Sequence, residues 1–157
     1  MELLPGYCIR HGSSLDRALL VKFMQLTYQE MFPDGDFSHL AQTVEQYFSS
    51  QTPLWWVEEH REKFTPRPHD PIACLWIGNA IDQVTGDRHA HIFLLYVVPE
   101  HRRRGIATAL MRYAEDWARN RGDQQMGLQV FQSNQAALNL YSHLGYKTQS
   151  LWLKKLL

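Results

Sequence analysis

Asn134 and Tyr141 stand seven residues apart in "NQAALNLYSHLGY". On a helix that separation is two turns, so both side chains leave nearly the same face. A phenol so placed can hand a proton to a departing anion; the competing role is a tyrosine packed beneath a sheet. In "HAHIFLLYVV", His89, His91 and Phe93 alternate onto one face of a strand. An imidazole titrates near neutrality and suits a general base, whereas a histidine at a strand entrance is also ordinary surface. A third constellation is "PEHRRRGIATALM", where a strand gives way to Gly105 and an apolar helix. The first N–H groups of a helix lack internal partners and carry the positive end of its dipole, so a phosphate is well accommodated there. Gly105 and small Ala107 let a ligand approach that backbone. Residues Arg103 to Thr108 would offer mainly amides, with arginine side chains at the rim; a solvated basic helix start is the competing reading.

Several chemistries lack their residues. Neither the Rossmann Gly-x-Gly-x-x-Gly nor the P-loop Gly-x-x-x-x-Gly-Lys-Ser/Thr occurs. The two histidines of "HAH" have no spaced third ligand, so no metal is expected. Cys8 and Cys74 form no Cys-x-x-Cys and stand beside no convincing base, which argues against a cysteine nucleophile and for free thiols in a reducing, cytoplasmic setting. Sixteen basic residues balance sixteen acidic ones. A chain without a global positive field, and with no second basic cluster beyond His101 to Arg104, is not expected to bind nucleic acid. Apolar runs such as "IFLLYVV" are too short to cross a bilayer, and "MELLPGYCIR" lacks the apolar core of a signal peptide, so no membrane association is expected.

The elements that must position these residues follow from periodicity. The 157 residues suit one domain, 1–157, with a full core. "YCIR" reads as an opening strand. A helix follows with Leu15, Ala18, Leu19, Phe23 and Leu26 at helical spacing, capped by Ser13 or Ser14. "PDGD" is a turn, and a second helical pattern starts at Ser38. "LWWVEE" and "IACLWIGNAID" read as strands joined by the surface loop "HREKFTPRPHD". "HAHIFLLYVV" reads as a buried strand and the segment from Gly105 to a stop at Gly122 as a helix. "QMGLQVF" is a strand, "NQAALNLYSHLG" a helix, and "YKTQSLWLKKLL" a final strand. The order β, α, α, β, β, β, α, β, α, β implies an α/β fold with both antiparallel meander and crossover connections.

Two of these segments resemble a known family. Arg102-x-x-Gly105-x-Ala107, after a strand ending "YVVPEHR", resembles the Gln/Arg-x-x-Gly-x-Gly/Ala signature of the GNAT superfamily of acetyl-CoA-dependent N-acetyltransferases. Asn134-x-x-Ala137-x-x-Leu140-Tyr141-x-x-x-Gly145-Tyr146 is similar to its second motif, with Tyr146 in place of phenylalanine. The resemblance implies a mixed, mostly antiparallel central sheet with helices on both faces and strands splayed at an acetyl-CoA wedge. It implies that amides of Arg103, Arg104, Gly105, Ile106, Ala107 and Thr108 hold the pyrophosphate, that backbone at Leu95, Tyr96 and Val97 pairs with the pantetheine arm beside a bulge, and that Asn134 helps fix the cofactor end. Tyr141 would protonate the sulfur that an attacking amine expels. His91 falls where some relatives carry a base, and others use a water relay. The implied acceptor is a small-molecule amine or a peptide amine, and the implied assembly a monomer or homodimer.

For the acceptor, "YQEMFPDGDF" brings Glu30, Asp34 and Asp36 together with Tyr28, Met31, Phe32 and Phe37. The carboxylates could attract an ammonium group, and Phe32, Phe37, Trp55 and Trp76 could receive an apolar body. In the competing reading the charges solvate a turn and the aromatics fill the core. A module that binds acyl-CoA without turning it over is the alternative function.

Overall fold

A computed structural model describes residues 1–60 and 70–157. The loop expected between His60 and Asp70 otherwise lies outside the described residues. In chain order the elements are β1 (Glu2–Leu4), β2 (Tyr7–His11), α1 (Arg17–Met31), α2 (Leu40–Tyr47), β3 (Leu54–Glu59), β4 (Ala73–Ile81), β5 (Arg88–Val97), α3 (Ile106–Arg121), β6 (Met126–Leu128) and α4 (Gln135–His143). The strands form one sheet in sequence order, antiparallel throughout except for the parallel β5–β6 pair.

Period-two alternation divides the core into two layers. Trp55, Val57, Ala73, Leu75 and Ile77 face α3, packed with Ile106, Leu110 and Met111. Leu54, Trp56, Cys74 and Trp76 face α1 and α2, packed with Leu20, Phe23 and Val44. The expected mixed sheet with helices on both faces is therefore present. Ser13 caps the first helical segment in a capping box with Asp16. That segment is a 3₁₀ turn, Ser14–Asp16, and Leu15 on it is 93% exposed instead of buried. The second helix begins at Leu40, two residues later than expected, because the Asp36 carboxylate accepts the Ser38 N–H and holds the chain in a turn.

Three further differences concern strands. The opening strand has an unanticipated partner, β1, which pairs with β2. The segment after α3 pairs only over Met126–Leu128, and "YKTQSLWLKKLL" forms no strand. Leu151, Trp152 and Leu153 are exposed. Their three-residue apolar block, followed by Lys154 and Lys155, gives no alternating face to lay on a sheet.

Candidate active site

β5 carries a one-residue bulge. Trp76 pairs with Leu94 and Ile77 with Ile92, so Phe93 faces no residue of β4. Ala90 and Ile92 point to the α3 layer, whereas Leu94 and Tyr96 point to the α1–α2 layer. Phe93 folds across Gly78, where an added Cβ would strike its ring. Its centroid lies 5.7 Å from His91, 4.9 Å from Trp76 and 5.6 Å from Tyr47. His91, Phe93, Leu94 and Tyr96 therefore share one face.

The same point opens the sheet. β6 pairs with Ala90, His91 and Ile92 and then departs, so from Phe93 onward the edge of β5 away from β4 has no strand partner among the described residues. Backbone direction alternates along this stretch. Val98 N–H reaches Ile72 O on the β4 side, so Tyr96 also turns its backbone toward β4 while Leu95 and Val97 turn theirs to the open edge. Tyr96 thus departs from the expected set of three. At Val97 the carbonyl already accepts from Arg102 Nε at 2.8 Å, leaving the N–H on the open side.

Beyond β5 the chain turns sharply into α3. Arg103 has φ +62° and Gly105 φ +82°, left-handed values that only glycine adopts without cost. Gly105 is the N-cap, and no side chain caps α3, so the first N–H groups of the helix are open to a ligand. The space above Gly105 is clear: a Cβ there would meet no atom within 4 Å. The flanking arginines act as staples. Arg102 Nη2 donates to both Glu30 carboxylate oxygens at 2.8 Å, and Tyr96 Oη donates to Glu30 Oε1 at 2.7 Å. Burial, then the adjacent Glu30 carboxylate, push the Tyr96 phenol up. Arg104 Nη1 donates to Tyr7 Oη at 2.9 Å, Tyr7 donates to His101 Nδ1 at 2.9 Å, and His101 Nε2 donates to Glu59 Oε1 at 2.8 Å. Two of the three arginines thus brace the turn from the α1 side and from β2 and β3.

Tyr141 lies on α4, half-buried against the α3 layer, with its ring 5.9 Å from Tyr146. Burial alone pushes its phenol up to about 12, so it stays protonated at physiological pH. Leu95, Val97 and Leu128 border the same cluster. Asn134 caps α4: its Oδ1 accepts the Ala137 N–H at 3.2 Å, and its Nδ2 lies 4.0 Å from Met31 Sδ. His91 is half-buried, and its pKa is lowered first by burial and then by His89.

A model of the acetyltransferase (GNAT) family matches residues 20–146. The chain belongs to the GNAT acetyltransferase family. It is 30% identical over 122 residues to an aminoglycoside N(6′)-acetyltransferase type 1 of Acinetobacter haemolyticus, covering 76% of this chain and 75% of that protein. Human N-acetyltransferase 8 is 29% identical over 108 residues, 69% of this chain and 44% of that protein. Matches to several curated relatives span only 24%, 44% and 35% of those proteins' lengths. Among solved structures, a predicted acetyltransferase of Clostridium acetobutylicum with acetyl-CoA superposes with a TM-score of 0.71 at 20% identity, covering 95% of each chain, which shows the shared fold.

With the GNAT fold established, the residues suggested for the acceptor separate. Trp55 lies in the α3 layer against Tyr113 and Trp117, and Trp76 is fully buried on the other face; both are core. Glu30 is committed to Arg102 and Tyr96. Phe32 and Phe37 do lie at the turn after α1, joined by Phe131, which lies beyond β6 instead of ending the expected strand. The signal that sets Phe131 apart is its position just before "QSN", whose asparagine caps the next helix.

Proposed function

We propose that this GNAT protein transfers an acetyl group from acetyl-CoA to a primary amine by direct attack in a ternary complex. The observation that carries the reading is the open edge of β5 followed, after the turn through Pro99–His101, by an uncapped, glycine-started helix. An extended amide chain pairs with such an edge, and a pyrophosphate suits such a helix start. Amides of Arg103, Arg104, Gly105, Ile106, Ala107 and Thr108 would hold the pyrophosphate, and Leu95 and Val97 the pantetheine arm. Acetyl-CoA, when bound, supplies an acetyl group activated as a thioester.

The remaining groups manage protons. The Tyr141 phenol, which carries its proton at physiological pH, donates to the departing sulfur. Asn134 caps the helix that carries Tyr141 and would help fix the cofactor end of the site. His91, kept neutral by its surroundings, accepts the proton that the amine must lose. No side chain needs to form a covalent bond to the acyl group. Cys74, whose thiol is fully buried and pushed far up by that burial, is unsuited to do so.

The test is Tyr141→Phe. Turnover should fall about a hundredfold or more while the melting shift given by acetyl-CoA stays as in the wild type. Unchanged turnover would remove the acid role; a wild-type protein that gains no stability from saturating acetyl-CoA would remove the reading itself.

A further inference from the structure

The last turn of α1 touches both arms of the opening. On the β5 side Glu30 binds Tyr96 and Arg102. On the β6 side Met31 meets Asn134, and the rings of Tyr28 and Phe32 meet Phe131 edge to face, with centroids 6.1 and 5.4 Å apart. Because Phe131 lies between β6 and α4, these contacts cross from one arm to the other where the strands separate. Phe32 and Phe131 nevertheless keep 43% and 44% of their surface exposed. Edge-to-face packing covers only part of each ring, and the exposed remainder offers apolar area that a flat incoming body can cover.

The charges of this segment favour the same kind of guest. Glu30 already faces Arg102 through both oxygens, and Asp36 already accepts the Ser38 N–H. A polycationic acceptor calls for several carboxylates turned toward it, and Glu30, the carboxylate of this segment that reaches the opening, already faces an arginine, while Asp36 lies exposed in its own turn.

We propose that Tyr28, Phe32 and Phe131 form the surface that selects the acceptor, and that this acceptor is a primary amine on an aromatic or apolar body instead of a polycationic amino sugar. The proposal rests on the acetyltransferase reading. It departs from the substrate class in the name of the Acinetobacter haemolyticus relative.

The experiment compares 2-phenylethylamine with an aminoglycoside bearing a free 6′-amine, by calorimetry on the full chain saturated with CoA and by steady-state acetylation. The aryl amine should bind about tenfold more tightly and show a kcat/KM about tenfold higher. Phe32→Ala and Phe131→Ala should each raise its KM about tenfold with kcat and the acetyl-CoA melting shift retained, and Phe131→Leu should recover part of the loss. Equal or tighter aminoglycoside binding, no binding of the aryl amine, or wild-type KM in both alanine variants would overturn the proposal while leaving acetyl transfer intact. Absence of an acetyl-CoA melting shift in the wild type would instead overturn acetyl transfer, and this proposal with it.

Discussion

His91 occupies the face of β5 that looks toward α1 and α2, flanked by the buried His89 and by the ring of Phe93. Desolvation disfavours its charged form, so its pKa lies below the ordinary 6.5. As a base it must be neutral to act. The acidic limb of kcat/KM should therefore fall below pH 6.5, and His91→Ala should abolish that limb. A limb that survives the substitution would assign proton removal to water. The same shift links to folding: the unfolded chain binds this proton more readily, so His91's contribution to stability is complete above 6.5. It is lost as pH falls through the lowered native value. Tyr141, the proposed acid, presents the opposite case: burial raises its pKa to about 12, so it carries its proton throughout the range in which His91 titrates.

At the scale of elements the site depends on the bulge in β5. Gly78 supplies the floor on which Phe93 lies, and an alanine methyl there would drive the ring away. Gly78→Ala should cost ~1–3 kcal/mol in chemical denaturation through overpacking and should lower turnover by displacing His91's neighbour. Wild-type stability and turnover would show that the ring position is immaterial. The residues of "HAHIFLLYVV" do not by themselves mark this bulge, which the family resemblance alone implied: a one-residue register shift leaves no mark on a run whose residues are apolar on both faces. The turn at Gly105 was legible because a glycine between a strand and an apolar helix has few other uses. The helix carrying Asn134 and Tyr141 was legible for a similar reason, since its cap and its closing Gly145 punctuate it. Contacts between distant segments, such as Glu30 with Arg102 or Phe131 with Phe32, have no local signature at all.

At the scale of the molecule, both halves of the chain build the candidate site. The N-terminal half contributes α1, whose Glu30 clamps Tyr96 and Arg102, and Tyr7, which links Arg104 to His101. The C-terminal half supplies the helix start, the departing strand β6 and Tyr141. Asp123 secures the far end of β5: its side chain, 1% exposed, accepts the Ala90 N–H at 2.7 Å and pairs with Arg121. Burial works against its charge, but those partners prevail and its pKa is lowered. Fastened at both ends, β5 presents an open edge from Phe93 onward. The most direct test of the central claim is amide hydrogen exchange with and without saturating acetyl-CoA. The expected result is slowed exchange at the amides of Leu95 and Val97 and at those of Arg103 to Thr108. Binding of acetyl-CoA with exchange in both segments unchanged would contradict the assignment of this edge and this helix start as its seat.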